Sequence, residues 1–337
     1  MSPNGFHHSK LRFAAVLSCL LMTAACSGGD DTGGADNPAV DAGTNGTDGT
    51  STGGDVAATS DAGASGAKDA GTTKAGPPKP FKYSGGKCPK LVVGTNKMFS
   101  WDKDRVFDLF APTTKGNKKP GLLFMWHGLG DNKNNFGKAM GAQFHANELN
   151  VYVAVPQGAG SITGWGWTSD NTALADATFF DDMLNCLDDT FDYDNTRVYT
   201  TGFSAGALWS SYLVVKRSTF LAAAVLWSGG TGPKVYTYKR PKRKVPVLLN
   251  WGGTGDQAGV FVNFDVTTKD MIKNLVKDGH VVLSCNHNGG HTIPPGGPNY
   301  GMAYLKKHSW DTLTDSFYKG GDLTGFPNYC KLESAKK

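Results

Sequence analysis

Hydrophobic residues in this chain gather into short, dense runs separated by longer stretches of helical spacing, and this pattern begins only near residue 81. Gly121-Leu122-Leu123-Phe124-Met125-Trp126 is apolar without a break, as a strand buried on both faces should be. Similar runs at 151–155, 197–201, 222–227, 245–251 and 280–285 predict further strands, and residues 105–112 alternate apolar with polar. Between them, helical spacing covers 135–149, 173–189, 205–215 and 264–278, and a last helix is expected near 310–317. In the second of these, Ala177, Phe180, Met183, Leu184 and Leu187 share one face. Strands alternating with helices predict an α/β fold, a mostly parallel doubly wound sheet with helices on both faces. In such a sheet the loops leaving the carboxyl ends of the strands converge, so chemistry is sought there.

Ahead of that domain the pattern changes. Lys10 and Arg12 precede an apolar stretch over 13–22, then Thr23-Ala24-Ala25 before Cys26. This reads as a signal peptide over residues 1–25, too short to span a bilayer. The run ending at Cys26 resembles a bacterial lipobox, with Thr23 where that pattern prefers Leu; Cys26 is then the candidate lipidation site. Ordinary cleavage nearby, releasing a free secreted protein, is the alternative. Residues 26–80 are almost wholly Gly, Ala, Thr, Asp, Ser and Asn and end in Gly76-Pro77-Pro78-Lys79-Pro80. With no aromatics, that segment cannot offset its ordering entropy and reads as a disordered tether with a stiffer end. The catalytic domain expected from the motifs below fills 81–337.

Charge and cysteine use bound the partners. The tether holds eight Asp against three Lys, so with a leader at +2 the chain total of +5 leaves +8 on the domain. No aromatic-interleaved basic motif or zinc-finger spacing organises those charges, so no nucleic-acid partner is expected. The run Lys239-Arg240-Pro241-Lys242-Arg243-Lys244 reads as a solvated loop before a strand, with a docking patch for an anionic polymer as the competing reading. Beyond Cys19 and Cys26 remain Cys88, Cys186, Cys285 and Cys330, an even number that suits two disulfides in an exported protein. Four cysteines allow three pairings. The expected strand order puts Cys186 far from Cys285 and so favours Cys88–Cys186 with Cys285–Cys330, leaving the pairing open. No CxxC or CxxH pair is present, and neither a metal nor a cofactor is expected.

Gly202-Phe203-Ser204-Ala205-Gly206 lies between the run at 197–201 and the helix at 205–215. It matches G-x-S-x-G, a sharp strand-to-helix turn that holds a serine Oγ in the open, its glycines standing where a side chain would crowd the turn. Two other strand ends offer partners: Gly252-Gly253-Thr254-Gly255-Asp256, and Asn286-His287-Asn288-Gly289-Gly290-His291. Ser204, Asp256 and His291 follow the chain order of α/β-hydrolase triads. A serine hydroxyl needs an imidazole to take its proton, and the imidazole needs a carboxylate to fix its tautomer and stabilise its charged form. Asp265 and Asp270 compete with Asp256, and His287 competes with His291. A plain turn serine is the alternative for Ser204. In the loop His127-Gly128-Leu129-Gly130, the Leu129 N–H is the candidate oxyanion donor beside that of Ala205, with His127 structural. Trp165 and Trp167, among the glycines of 158–167, are candidate substrate-binding residues walling the site, or they cap the core.

From about residue 105 to 317 the chain resembles the secreted polyhydroxybutyrate depolymerase and feruloyl/acetylxylan esterase group of α/β-hydrolases. The matching pieces are Leu109-Phe110-Ala111-Pro112, Trp126-His127-Gly128, the segment 197–206, Gly253-Thr254-Gly255-Asp256 and Gly289-Gly290-His291-Thr292. The resemblance implies the α/β-hydrolase fold, a triad of Ser204, Asp256 and His291, and hydrolysis of carboxylic esters on a polysaccharide or polyester through an acyl-enzyme. It also places Asp176 where the group opens a helix with an acidic pair; Ala175 replaces the other member, and Asp176 is expected to be helix-capping or structural. Two departures stand out: Gly252-Gly253-Thr254 where the group has His-Gly-Thr, and Gly206-Ala207 where it has Gly-Gly. The expected location is extracellular or cell-surface, as an outer-membrane lipoprotein that meets the membrane only through its lipid anchor. Two other functions compete. A serine peptidase of related fold lacks a visible propeller domain here, and a non-catalytic glycan- or polymer-binding lipoprotein would not need all three residues.

Overall fold

The apolar runs become strands of one sheet, and their periodicity sets its two faces. In chain order the elements begin with β1 (Gly94–Ser100), β2 (Lys103–Phe110), β3 (Gly121–Trp126), α1 (Lys133–Ala139), α2 (Ala142–Leu149) and β4 (Val151–Pro156). Then come α3 (Asp170–Thr190), β5 (Val198–Phe203), α4 (Ala205–Lys216), β6 (Ala223–Trp227) and β7 (Val247–Trp251). A two-strand ribbon, β8 (Gln257–Ala258) and β9 (Val262–Asn263), precedes α5 (Phe264–Lys277), β10 (Val282–Asn286), α6 (Gly297–Lys306) and β11 (Cys330–Glu333). This computed structural model describes residues 76–114, 117–160, 163–312, 318 and 322–333. The expected leader, the lipidation site at Cys26 and the tether up to residue 75 lie outside the described residues.

The nine-stranded sheet runs β1-β2-β4-β3-β5-β6-β7-β10-β11. Strands β4, β3, β5, β6, β7 and β10 pair in parallel, while β1, β2 and β11 add antiparallel edges. Within a continuous apolar strand, successive side chains go to opposite faces. Leu122, Phe124 and Trp126 therefore pack with Phe180 and Met183 of α3, Leu208 of α4 and Met271 of α5. Leu123 and Met125 pack with Phe136 of α1, Ala146 of α2 and Leu305 of α6. Among the described residues three helices pack on each face, which is why these strands carry no polar alternation. Disulfides close both ends: Cys88–Cys186 ties the entering segment to α3, and Cys285–Cys330 joins directly opposed residues of β10 and β11.

Several elements differ from the sequence expectation for tertiary reasons. The single helix expected over 135–149 breaks in two at Gly141, whose backbone is left-handed. Helix α6 starts among Pro294, Pro295, Gly296 and Pro298, which read locally as breakers. It is held by packing, with Gly301 pressed against the Trp227 ring and Tyr304 and Leu305 buried. The last helix expected near 310–317 falls largely outside the described residues, and 310–312 form turns. Asp176 lies well inside α3 rather than in its first turn; Ser169 caps that helix instead. It is structural in another way, buried against Arg105 at 2.7 Å and accepting the Gly166 N–H. The basic run is largely engaged too: Lys239 pairs with Asp170, and Arg243 donates to Leu221 O and lies over the Trp310 ring.

Burial has an electrostatic consequence. Desolvation lowers the imidazoles of His127, His145, His280, His287 and His308 below their ordinary 6.5, His145 and His308 to about 4. Between pH 4 and 6.5 the unfolded chain therefore binds more protons than the folded one, and stability rises with pH across that window. Asp181 and Asp188, raised above 3.8 by burial, act oppositely in the lowest part of it. Thermal unfolding should show a midpoint that falls on acidification from about pH 7 to about pH 4.5. A midpoint that stays level or rises would contradict this.

Candidate active site

Three neighbouring strand ends deliver the polar groups. Leaving β5, the chain reverses at Ser204 with φ 55° and ψ −120° before entering α4. The turn is tight enough that a Cβ on Gly206 would overlap the backbone oxygens of Trp126 and His127. Leaving β7, a single 3-10 turn over Gly253–Gly255 presents Asp256. Leaving β10, the loop carries His291 back over both, pinned where the Gly290 N–H donates to Gly252 O at 3.0 Å. A Cβ on Gly252 would run into the backbone of Gly290, so the departure from His to Gly at that position lets the two loops touch.

The result is a connected relay. The Ser204 hydroxyl lies 2.9 Å from His291 Nε2, and His291 Nδ1 lies 2.7 Å from Asp256 Oδ1. A carboxylate only accepts, so Nδ1 carries the imidazole proton and Nε2 is the acceptor for Ser204 Oγ–H. Asp256 is fully buried, and its second oxygen accepts from Ser228 Oγ at 2.7 Å and from the Gly252 N–H at 2.8 Å. A buried carboxylate this well supplied with donors can remain charged beside the ring. The competing residues are occupied elsewhere. Asp265 accepts from Trp251 Nε1 and pairs with Lys269, Asp270 accepts from Thr231, and His287 Nδ1 accepts the Gly289 N–H.

The loop after β3 closes the other side. Gly128 packs on the elbow, with room for a Cβ only 3.6 Å from Ser204 Cβ. His127 Nε2 accepts the Gly158 N–H at 2.9 Å, so its Nδ1–H donates to Gly128 O at 2.8 Å. Burial, which lowers its pKa, keeps that imidazole neutral and the pattern intact. Because the peptide is planar, pinning the Gly128 oxygen also fixes the direction of the Leu129 N–H. Leu129 and Ala205 meet at one corner: a Cβ on Gly164 would lie 3.6 Å from Leu129 Cα and 3.8 Å from Ala205 Cβ. As the first residue of α4, Ala205 has an N–H that no turn of the helix can satisfy.

Trp165 and Trp167 do not wall the site. Trp165 is wholly buried, donating to His127 O and packing edge-on to Trp126, and Trp167 donates to Thr163 O with little surface left. Their neighbours are strongly apolar, and the core holds their rings; Trp165 props the His127 loop from behind. Three residues escaped sequence reasoning: Ser228, Phe203 and Phe264. Ser228 had a usable signal, because it is the first polar residue at the end of β6, a strand end like the others. Phe203 and Phe264 stack on His291, and no sequence pattern marks that. Among the described residues no group of three His, Cys, Asp or Glu could hold a metal ion, and no helix is long and apolar enough to cross a membrane.

Comparisons with known proteins add the fold family. No family model matches the chain. A curated relative, the bifunctional acetylxylan esterase/xylanase XynS20E of Neocallimastix patriciarum, is 23% identical over 181 residues, or 54% of this chain. The match spans only 24% of that relative's length. Among solved structures, native pOPH superposes with a TM-score of 0.60 at 18% identity, over 74% of this chain and 98% of that one. Acetyl xylan esterase from Aspergillus awamori gives 0.52 at 12% identity, over 63% and 98%. With the sheet order and helical layers above, the fold is that of the α/β-hydrolases.

Ser228→Ala would leave Asp256 Oδ2 with a single donor in a site closed to water. Urea unfolding should register a loss of about 1–3 kcal/mol. A change within about 0.3 kcal/mol would show that the hydroxyl is dispensable to the carboxylate.

Proposed function

We propose that this chain is an exported serine carboxylic ester hydrolase in which Ser204 is the nucleophile, His291 the general base and acid, and Asp256 its orienting carboxylate. The observation that carries the reading is the continuous hydrogen-bonded path from a buried, doubly supported carboxylate through one imidazole to a hydroxyl on a strained turn. In the proposed reaction Ser204 Oγ attacks the ester carbonyl carbon as its proton passes to His291 Nε2. The carbonyl oxygen becomes an oxyanion facing the N–H groups of Leu129 and Ala205; one such donor is worth a factor of about 10²–10³ in rate. Collapse breaks the bond to the alkoxy oxygen, which leaves with the proton from His291, and the acyl group stays on Ser204. Water then gives a proton to His291 and attacks the acyl carbon, releasing the acid and restoring the serine.

The substrate class in this proposal is an ester borne by a polymer, either acetyl or feruloyl groups on xylan or the backbone of a polyhydroxyalkanoate. Support comes from the names of the similar proteins, two of which are acetylxylan esterases. Export is supported by the two disulfides, which persist in oxidising compartments. The lipidated form anchored through Cys26 belongs to the same proposal. Acyl transfer through serine uses all three polar groups at once, which a binding module would not need.

The purified full-length protein is expected to hydrolyse short-chain p-nitrophenyl esters, with Ser204→Ala losing at least about 10³-fold in kcat and Asp256→Asn a similar amount. Turnover by Ser204→Ala equal to the parent's would sink the nucleophile assignment. Acetylated xylan, methyl ferulate and polyhydroxybutyrate film then rank the substrates; inertness towards all three would remove the polymer from the proposal. Cys26→Ser should shift the protein from the membrane fraction to the soluble one, and an unaltered distribution would remove the anchor.

A further inference from the structure

Two phenyl rings stack on the His291 imidazole. The Phe203 ring stacks with centroids 4.8 Å apart and planes 28° off parallel. Phe264 stacks as well, at 4.7 Å and 11°. The hydrogen bonds to Asp256 and Ser204 hold only two edge atoms of the imidazole, and the ring can still tilt about the line joining those atoms. The local backbone does little to stop this, because His291 follows Gly289 and Gly290 in an irregular loop. Stacking against two rings opposes that tilt.

Each clamp residue is also tied to another member of the relay. Phe203 is bonded to Ser204 and lies in the elbow itself. Phe264 opens α5, is almost completely buried, and its N–H donates to the Asp256 carbonyl at 2.9 Å. The imidazole is therefore referenced to Ser204 through one phenyl ring and to Asp256 through the other. A shift of either loop would move the imidazole with it.

We infer that Phe203 and Phe264 are positioning residues for the ester hydrolysis proposed above, holding the plane of His291 in line with Ser204 Oγ and shielding its cationic form. As Nε2 takes the serine proton the ring becomes an imidazolium, and a cation stacked against two phenyl rings meets their negative π-clouds at the distance where that attraction operates. The role belongs to the aromatic face and not merely to apolar bulk. Leu, of comparable hydrophobicity, supplies neither a flat wall nor a quadrupole. This inference rests on the reading of His291 as the base.

The test replaces each ring in the full-length protein. Phe203→Leu and Phe264→Leu should each lose about tenfold in kcat on a p-nitrophenyl ester, with KM within about twofold of the parent's. Phe203→Tyr and Phe264→Tyr, which keep the face, should recover most of that loss. A second readout is spectroscopic: in histidine-labelled protein the His291 ring proton between the nitrogens is shielded by both phenyl currents, and each Leu variant should move it downfield. Leu variants with parent-like kcat, or Tyr variants no better than Leu in folded protein, would overturn the clamp. A parent that cleaves no ester would instead overturn the underlying reading, so the two failures are distinguishable.

Discussion

Ser204 holds φ 55° and ψ −120°, a region a residue with a side chain enters only at a cost of about 1–3 kcal/mol, and the rest of the site depends on its staying there. The constraint is steric and cooperative. The Ser204 N–H donates to Trp227 O on the neighbouring strand, while the Ser204 carbonyl accepts the N–H groups of Ala207 and Leu208 in α4. Gly206 lies so close to the Trp126–His127 backbone that α4 cannot slide without separating from β3. The strain at one residue is thus held in place by contacts to the neighbouring strand and to a buried helix. The same contact brings the His127–Leu129 loop onto the elbow, so Ser204 and the candidate oxyanion donors share one anchor.

A second dependence runs through Asp256. A carboxylate closed off from water would carry a large desolvation penalty if left alone. Here Ser228, Gly252 and His291 supply three donors, each from a different strand-end loop. Parallel topology makes this possible, because it directs the carboxyl ends of β5, β6, β7 and β10 to one edge of the sheet. The Phe203 and Phe264 rings complete the enclosure by occupying the directions in which hydrogen bonds cannot act. Polar contacts fix the edges of the imidazole, and apolar contacts fix its faces.

Much of this was legible in the sequence, and the limits have physical causes. Strands buried on both faces announce themselves as unbroken apolar runs, and the run at 121–126 coincides with β3 residue for residue. The elbow and the two glycine-rich loops were equally visible, since close backbone approach admits little else than glycine. Helix α6 was invisible because its first turn is written in Pro and Gly and its stability comes from contact with Trp227, far away in sequence. The break in the α1–α2 segment depends on one left-handed backbone, which an apolar period does not register. Trp165 looked available among glycines, yet those glycines let its ring turn inward beneath the His127 loop. The pairing of His291 with Phe203 and Phe264 spans elements of unrelated sequence position, which no local pattern encodes.

The central claim is that one serine, of the many in this chain, is made nucleophilic by its surroundings. The most direct measurement is treatment of the native full-length protein with a tagged serine-reactive phosphonate, followed by peptide mass spectrometry. The account predicts a single adduct on Ser204, abolished when the protein is unfolded before labelling. An adduct on another serine, or none under native conditions, would contradict it.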